Sequence, residues 1–110
     1  MDDATRARLE AVGFKLETVT EFLELTPEEE ELIETRLALS RLLRTFRKQK
    51  HAVQRDVAQK ARTSQARIAK AERIGREGAD NESISIELML RALYAMGATR
   101  KDVADALAAA

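Results

Sequence analysis

The chain has 110 residues, 19 basic and 19 acidic, with 45% hydrophobic residues; this fits one small domain with an extension, not two domains. Without cysteine there is no disulfide framework, thiol nucleophile or cysteine-held zinc, and a single histidine excludes a histidine-based metal or catalytic cluster within one chain. One proline and four glycines are too few for a turn-rich β protein, no apolar run approaches the ~20 residues of a membrane span, and the polar start MDDATRARLE lacks a signal-peptide core, so a cytoplasmic protein is expected.

Ala, Leu, Glu, Arg and Lys dominate, which is a helical composition. Residues 1–13 read as a loose polar tail. Glu17–Leu25 carries Val19, Phe22 and Leu23 on one side of a short helix that must pack on something. Thr26-Pro27-Glu28-Glu29 is the sharpest local signal: Thr26 caps, Pro27 takes the first helical position and Glu29 completes a capping box. The run Glu28 to Glu31 suits the positive end of the helix dipole, and Leu25 can staple onto the first turns. A long helix follows, Pro27 to Lys48, with Leu32, Leu39 and Phe46 repeating at sevens and Ile33, Leu37 and Leu43 widening the stripe. Three repeats barely suffice for a coiled coil, so its first half is expected to pack a dimer partner or the N-terminal arm and its second half to join the main domain.

Beyond Lys48 the pattern shortens. Gln54–Ala61 reads as one helix with Val57, Ala58 and Ala61 inward, and Ser64–Arg73 as the next with Ile68 and Ala71 inward. Only Arg62 and Thr63 separate them, and Thr63 is the expected N-cap of the second. His51 reads as a surface residue or C-cap partner. Gly75–Asn81 is a polar loop. Ile86–Met96 follows with Ile86, Leu90, Leu93 and Tyr94 toward the core, ended by Gly97 as a left-handed C-cap. Thr99 opens a last helix, Asp102 echoes a capping box, and Val103 and Leu107 point inward. No segment alternates long enough for a strand, so the fold class is all-α.

The zero net charge hides a segregation. Residues 1–35 hold 11 acidic and 3 basic residues (−8), residues 36–77 hold 13 basic and 3 acidic (+10), and residues 78–110 hold 5 acidic and 3 basic (−2). A basic middle is the footprint of a phosphate-backbone binder, although solvated helix faces or the chain's own acidic head could also absorb the charge. Two short helices joined by a tight turn form a helix-turn-helix, whose second helix enters the major groove. Ser64, Gln65, Arg67 and Lys70 are the exposed residues there, beside Ala66; Gln can read adenine, and Lys or Arg guanine. Small side chains at Ala66 and Ala69 let the backbone approach closely. An ordinary amphipathic helix with a polar face is the alternative.

From Leu42 to about Leu107 the chain resembles the Cro/C1-type (XRE, lambda repressor-like) helix-turn-helix family, over about 60% of its length. Arg47 matches the family arginine, Ala52-Val53-Gln54 the entry to the second helix, and Val57-Ala58 its Leu-Ala. Arg62-Thr63-Ser64-Gln65 matches the turn, Ile68 and Glu72 follow at the family spacing, and the helices from Ser85 and Thr99 match its last two. Gly13 to Arg41 also resembles a leader of some short relatives of HigA-type antitoxins. The resemblance implies a five-helix domain over 36–110 behind an acidic extension over 1–35. It places Gln54 on the DNA backbone, Gln65, Ala66, Ala69 and Lys70 at base-facing positions, and Ser64 and Arg67 on phosphates or the periphery. Arg73 and Arg76 would grip the backbone after the recognition helix, with Arg44, Lys48 and Lys50 as weaker phosphate candidates. The N-terminus of the helix entered at Gln54 can also offer backbone N–H groups to a phosphate. Arg47 and Glu72 would form an internal salt bridge.

The chain departs from the pattern at four places. Val53 stands where a capping Thr or Ser is usual, Ala52 replaces a leucine, Arg62 replaces the turn glycine and Gly75 comes one residue late. Arg62 would carry strain if its position needs positive φ. The expected function is a sequence-specific, homodimeric regulator of double-stranded DNA, by preference a repressor, its dimer surface lying on Leu90–Leu107 or around Leu32 and Leu39. The alternatives are an antitoxin that binds a protein toxin and represses its own operon, and a helical protein-interaction module without DNA. No enzyme, metal or cofactor is expected: Glu28–Glu31 and Asp80/Glu82 cannot be told from solvated acidic faces, and neither a nucleophile–base set nor a glycine-rich phosphate loop is present.

Overall fold

A computed structural model of the chain describes residues 25–75 and 84–109. The tail over 1–13, the helix expected from Glu17, Arg76, Asp80, Glu82 and the loop beyond Gly75 lie outside the described residues. Among the described residues the structure is all-helical: α1 Pro27–Gln49, α2 Gln54–Lys60, α3 Gln65–Ala71, α4 Ile86–Ala95 and α5 Arg100–Ala109. The chain divides into two units, Met1–Glu34 and Thr35–Ala110.

The described part of the first unit is the start of α1. Thr26 and Glu29 form the capping box in both directions: the Thr26 amide donates to Glu29 Oε1 at 3.1 Å and the Glu29 amide to Thr26 Oγ1 at 3.2 Å. Leu32 is exposed.

The second unit is built around one apolar core. α2 and α3 have seven residues each, too few to persist alone, so packing must hold them. α1 supplies Ala38, Leu39 and Leu43; α2 and its end supply Val57, Ala58 and Ala61; α3 supplies Ile68 and Ala71. Leu88, Met89, Ala92 and Leu93 of α4 close the core, with Ile74, Ile84, Ala98 and Val103. Leu39 is therefore a core residue and cannot form a dimer surface. The sevenfold repeat of Leu32, Leu39 and Phe46 is explained by a domain core under its middle, not by a coiled-coil seam. Tyr94 and Leu107, expected inward, face out. The α4 stripe through Leu88, Met89, Ala92 and Leu93 rotates Tyr94 onto its flank, and α5 is anchored by Val103, its one buried residue.

The helix ends follow local chemistry. Ser64 caps α3 and Ser85 caps α4, their hydroxyls accepting from the amides of Arg67 and Leu88. The cap of α3 is thus Ser64, not Thr63, because the Thr63 amide is still committed to closing α2, donating to Ala58 O at 2.9 Å. Val53 caps α2 with backbone alone, as its side chain dictates. Three of the described helices close with the same pair of bonds, made by a residue in the left-handed region and its successor. His51 (φ 56), Arg62 (φ 59) and Gly97 (φ 96) hold these positions. Their amides donate to Lys48 O, Gln59 O and Tyr94 O, and the next residues, Ala52, Thr63 and Ala98, donate to Arg47 O, Ala58 O and Leu93 O. Only glycine accepts such a φ without a Cβ penalty, so Arg62 is strained where the family pattern has glycine. Gly75 (φ 88) is needed for its left-handed φ; a Cβ there would also displace the end of the Leu37 side chain.

α5 opens with a second reciprocal box: the Thr99 amide donates to Asp102 Oδ2 at 2.8 Å and the Asp102 amide to Thr99 Oγ1 at 3.1 Å. The bond from the Thr99 amide lowers the Asp102 carboxyl below its ordinary value.

Arg62→Gly is expected to raise the unfolding free energy by up to about 1 kcal/mol, strain relief exceeding the added unfolded-state entropy. Gly75→Ala is expected to lower it by about 1–3 kcal/mol. Urea titrations of the two variants measure both. A depressed carboxyl stabilises the fold above its unfolded pKa, and that contribution is lost as pH falls through the depressed folded value. A carboxyl NMR titration should therefore place the Asp102 midpoint below that of an ordinary aspartate, with the Thr99 amide shift following the same curve.

Candidate functional site

α3 turns Ile68 and Ala71 fully inward. Helical spacing then sets Ala66, Lys70 and Arg73 along the outer ridge, Gln65 and Ala69 on one flank and Arg67 on the other. Gln65, Ala66, Arg67, Lys70 and Arg73 are exposed and Ala69 is half-buried. Among the described residues the side chains of Gln65, Arg67, Lys70 and Arg73 make no hydrogen bond or ion pair. Ser64 is exposed, but its hydroxyl already caps α3. The two alanines leave a low stretch between the polar groups, where another surface can approach the helix backbone.

The rear of α3 is pinned by Glu72, which is 4% exposed. Arg47 meets its carboxylate as a fork, Nε donating to Oε2 at 2.5 Å and Nη2 to Oε1 at 2.8 Å. The third guanidinium nitrogen, Nη1, donates to Ala52 O at 3.0 Å, and Gln54 Nε2 donates to Glu72 Oε1 at 3.3 Å. One carboxylate thus ties the end of α1, the α1–α2 connection and the first residue of α2 to the end of α3. The hydrogen bond to Glu72 raises the Arg47 pKa above its ordinary value, against an opposing effect of burial, so the guanidinium keeps its charge. Sequence placed this bridge at Arg47 and Glu72, and the two side chains do meet. Gln54, expected on the DNA backbone, spends a donor on Glu72; beside it a cleft of about 460 Å³ opens among Arg47, Val53, Gln54, Arg55 and Gln65.

Sequence reasoning missed a polar row on α1. Arg36, Ser40 and Arg44, spaced by fours and continued by Arg47, share one helix face. Arg36 Nη2 donates to Ile84 O, Ser40 Oγ to Ala71 O at 2.5 Å, and Arg44 Nη1 to Glu72 O at 3.3 Å. They satisfy carbonyls where the chain leaves α3 and where it enters α4, so Arg44 has a structural role that the sequence reading did not assign to it. Ser40 at 2% exposure is the legible clue: a buried hydroxyl needs a partner. Lys48, Lys50 and His51 remain exposed, with Lys50 Nζ 5.3 Å from the Phe46 ring centre.

Among the described residues no group of three or more His, Asp or Glu is placed to hold a metal, and no helix is long and apolar enough to cross a membrane. No protein-family model, curated protein or solved structure matches the chain.

Glu72→Gln is expected to cost about 3 kcal/mol, since it leaves the Arg47 guanidinium largely buried and uncompensated. Pairing it with Arg47→Met should recover part of that loss. Denaturant unfolding of the single and double variants measures the difference.

Proposed function

We propose that the chain is a cytoplasmic regulator that binds double-stranded DNA in a sequence-specific manner, with α2 and α3 acting as a helix-turn-helix and α3 as the recognition helix. The observation that carries this reading is the outer face of α3: exposed Gln65, Arg67, Lys70 and Arg73 without internal partners, around the small side chains Ala66 and Ala69. The +10 charge of residues 36–77 supports it, because phosphate neutralisation supplies much of protein–DNA affinity. In this reading Gln65 and Lys70 read base edges, Ala66 and Ala69 permit close approach, and Ser64, Arg67 and Arg73 meet phosphates. Gln54, held by Glu72, offers its remaining amide groups to the backbone beside α3. A single module reads few base pairs, so a symmetric dimer is proposed, with exposed Tyr94 on α4 and Leu107 on α5 as apolar side chains available for it.

Selection of duplexes from a random-sequence pool by the full chain tests the reading. A shared half-site motif is expected, with binding that survives unrelated competitor DNA. Gln65→Ala with Lys70→Ala should remove about 1–3 kcal/mol of discrimination at each contacted base pair, without loss of helical structure. Absence of binding to any duplex at low salt would overturn the reading in favour of a protein-interaction module.

A further inference from the structure

A second basic feature lies beside the α3 face, at the seam between the α2–α3 turn and α4. A cleft of about 260 Å³ opens there, lined by Arg62 and Thr63 of the turn, Arg67 of α3 and Glu87 and Arg91 of α4. Three guanidinium groups share this cleft with one carboxylate. Glu87 engages Arg91 loosely, at 3.6 Å and with both side chains more than half exposed. Among the described residues Arg62 and Arg67 make no side-chain hydrogen bond or ion pair. Three like charges with one carboxylate between them keep a net repulsion, and an anion among them relieves it.

Arg62 adds an independent argument. It holds a left-handed φ of 59 that glycine would adopt without penalty, so the chain keeps a guanidinium here at a cost in stability. Of His51 and Arg62, the described non-glycine residues with positive φ, Arg62 lines this cleft, and strain there points to a use for its side chain.

We propose that Arg62, Arg67 and Arg91 form a clamp for the DNA sugar–phosphate backbone along one wall of the major groove. The inference rests on the DNA-binding reading and extends it to Arg62 and Arg91, which lie off the recognition helix. The dimensions favour this occupant. A helix with its side chains is about 10–12 Å across and the major groove about 12 Å wide, so when the side of α3 carrying Gln65, Ala66, Ala69 and Lys70 meets the bases, the opposite flank faces the phosphates of one groove wall. Arg67 stands on that flank, and the arginine fork suits a phosphate's paired oxygens.

The test compares the wild type with Arg62→Gly/Arg91→Ala in the full chain. Glycine preserves the turn, and Arg91 is exposed, so both changes leave the core intact; circular dichroism checks the fold. Arg100→Ala/Lys101→Ala removes the same charge outside the cleft and serves as control. Dissociation constants are measured across a salt series, on a duplex selected by the wild type and on a scrambled one. The cleft variant is expected to bind both duplexes roughly tenfold more weakly at low salt, with a log–log salt slope about 2 smaller in magnitude. Its preference for the selected duplex should stay unchanged, and the control should keep the wild-type slope. A wild-type slope in the cleft variant, or an equal fall in the control, overturns the clamp while leaving the DNA reading standing. An unchanged DNA slope with lost binding of a polyglutamate peptide assigns the cleft to an acidic protein and also overturns it. Failure of the wild type to bind either duplex overturns the DNA reading, and the clamp with it.

Discussion

The Arg47–Glu72 bridge is the interaction on which the second unit depends. α2 and α3 are each two turns long and gain little stability from their own hydrogen bonds. Apolar burial pulls them onto α1 and α4, but burial is non-directional and does not fix their mutual setting. A forked guanidinium–carboxylate pair does, because it demands one geometry and punishes departures with an unpaired buried charge. Glu72 closes α3 and Arg47 lies near the end of α1; Arg47 also holds Ala52 and Glu72 also holds Gln54, the residues that lead into α2. The pair therefore sets the frame in which the outer face of α3 is presented.

The polar row of α1 extends that frame. Arg36, Ser40 and Arg44 reach the carbonyls of Ile84, Ala71 and Glu72, where the chain leaves α3 and where it enters α4. Carbonyls at a helix end need partners, and donors at the negative end of the dipole are favoured there. α1 thus serves two purposes on adjoining faces: Leu39 and Leu43 fill the core while the polar row holds the exit from α3. α3 can then leave its outer face free of internal partners, as a binding surface requires. The same economy of short segments explains the turns, where His51 and Arg62 take left-handed conformations so that α1 and α2 can end abruptly.

Much of this was legible in the chain because the responsible forces are local. Thr26 and Glu29, Thr99 and Asp102, and Gly97 announce helix ends through bonds spanning three or four residues, and each forms as expected. The inward sets Val57, Ala58 and Ala61, and Ile68 and Ala71, follow from helical spacing. The errors have two sources, competition between neighbouring caps and packing at a distance. Thr63 and Ser64 are equally good caps by composition, and only the closing bonds of α2 decide between them. Tyr94 and Leu107 are as apolar as their buried neighbours, and Leu39 as suited to a seam as to a core.

The sequence by itself determined the all-helical class, the helix ends marked by Thr26, Gly97 and Thr99, the basic middle and the residues of the α3 face. Those properties depend on spacing along one helix or on summed charge. The tertiary structure alone decided which apolar stripes are core, which cations are structural and which are left without partners. Arg44 and Arg67 are indistinguishable as letters; one meets a carbonyl 28 positions away and the other meets none. It also decided that Arg62, Arg67 and Arg91 share one cleft, because only the folded chain brings the turn, α3 and α4 together.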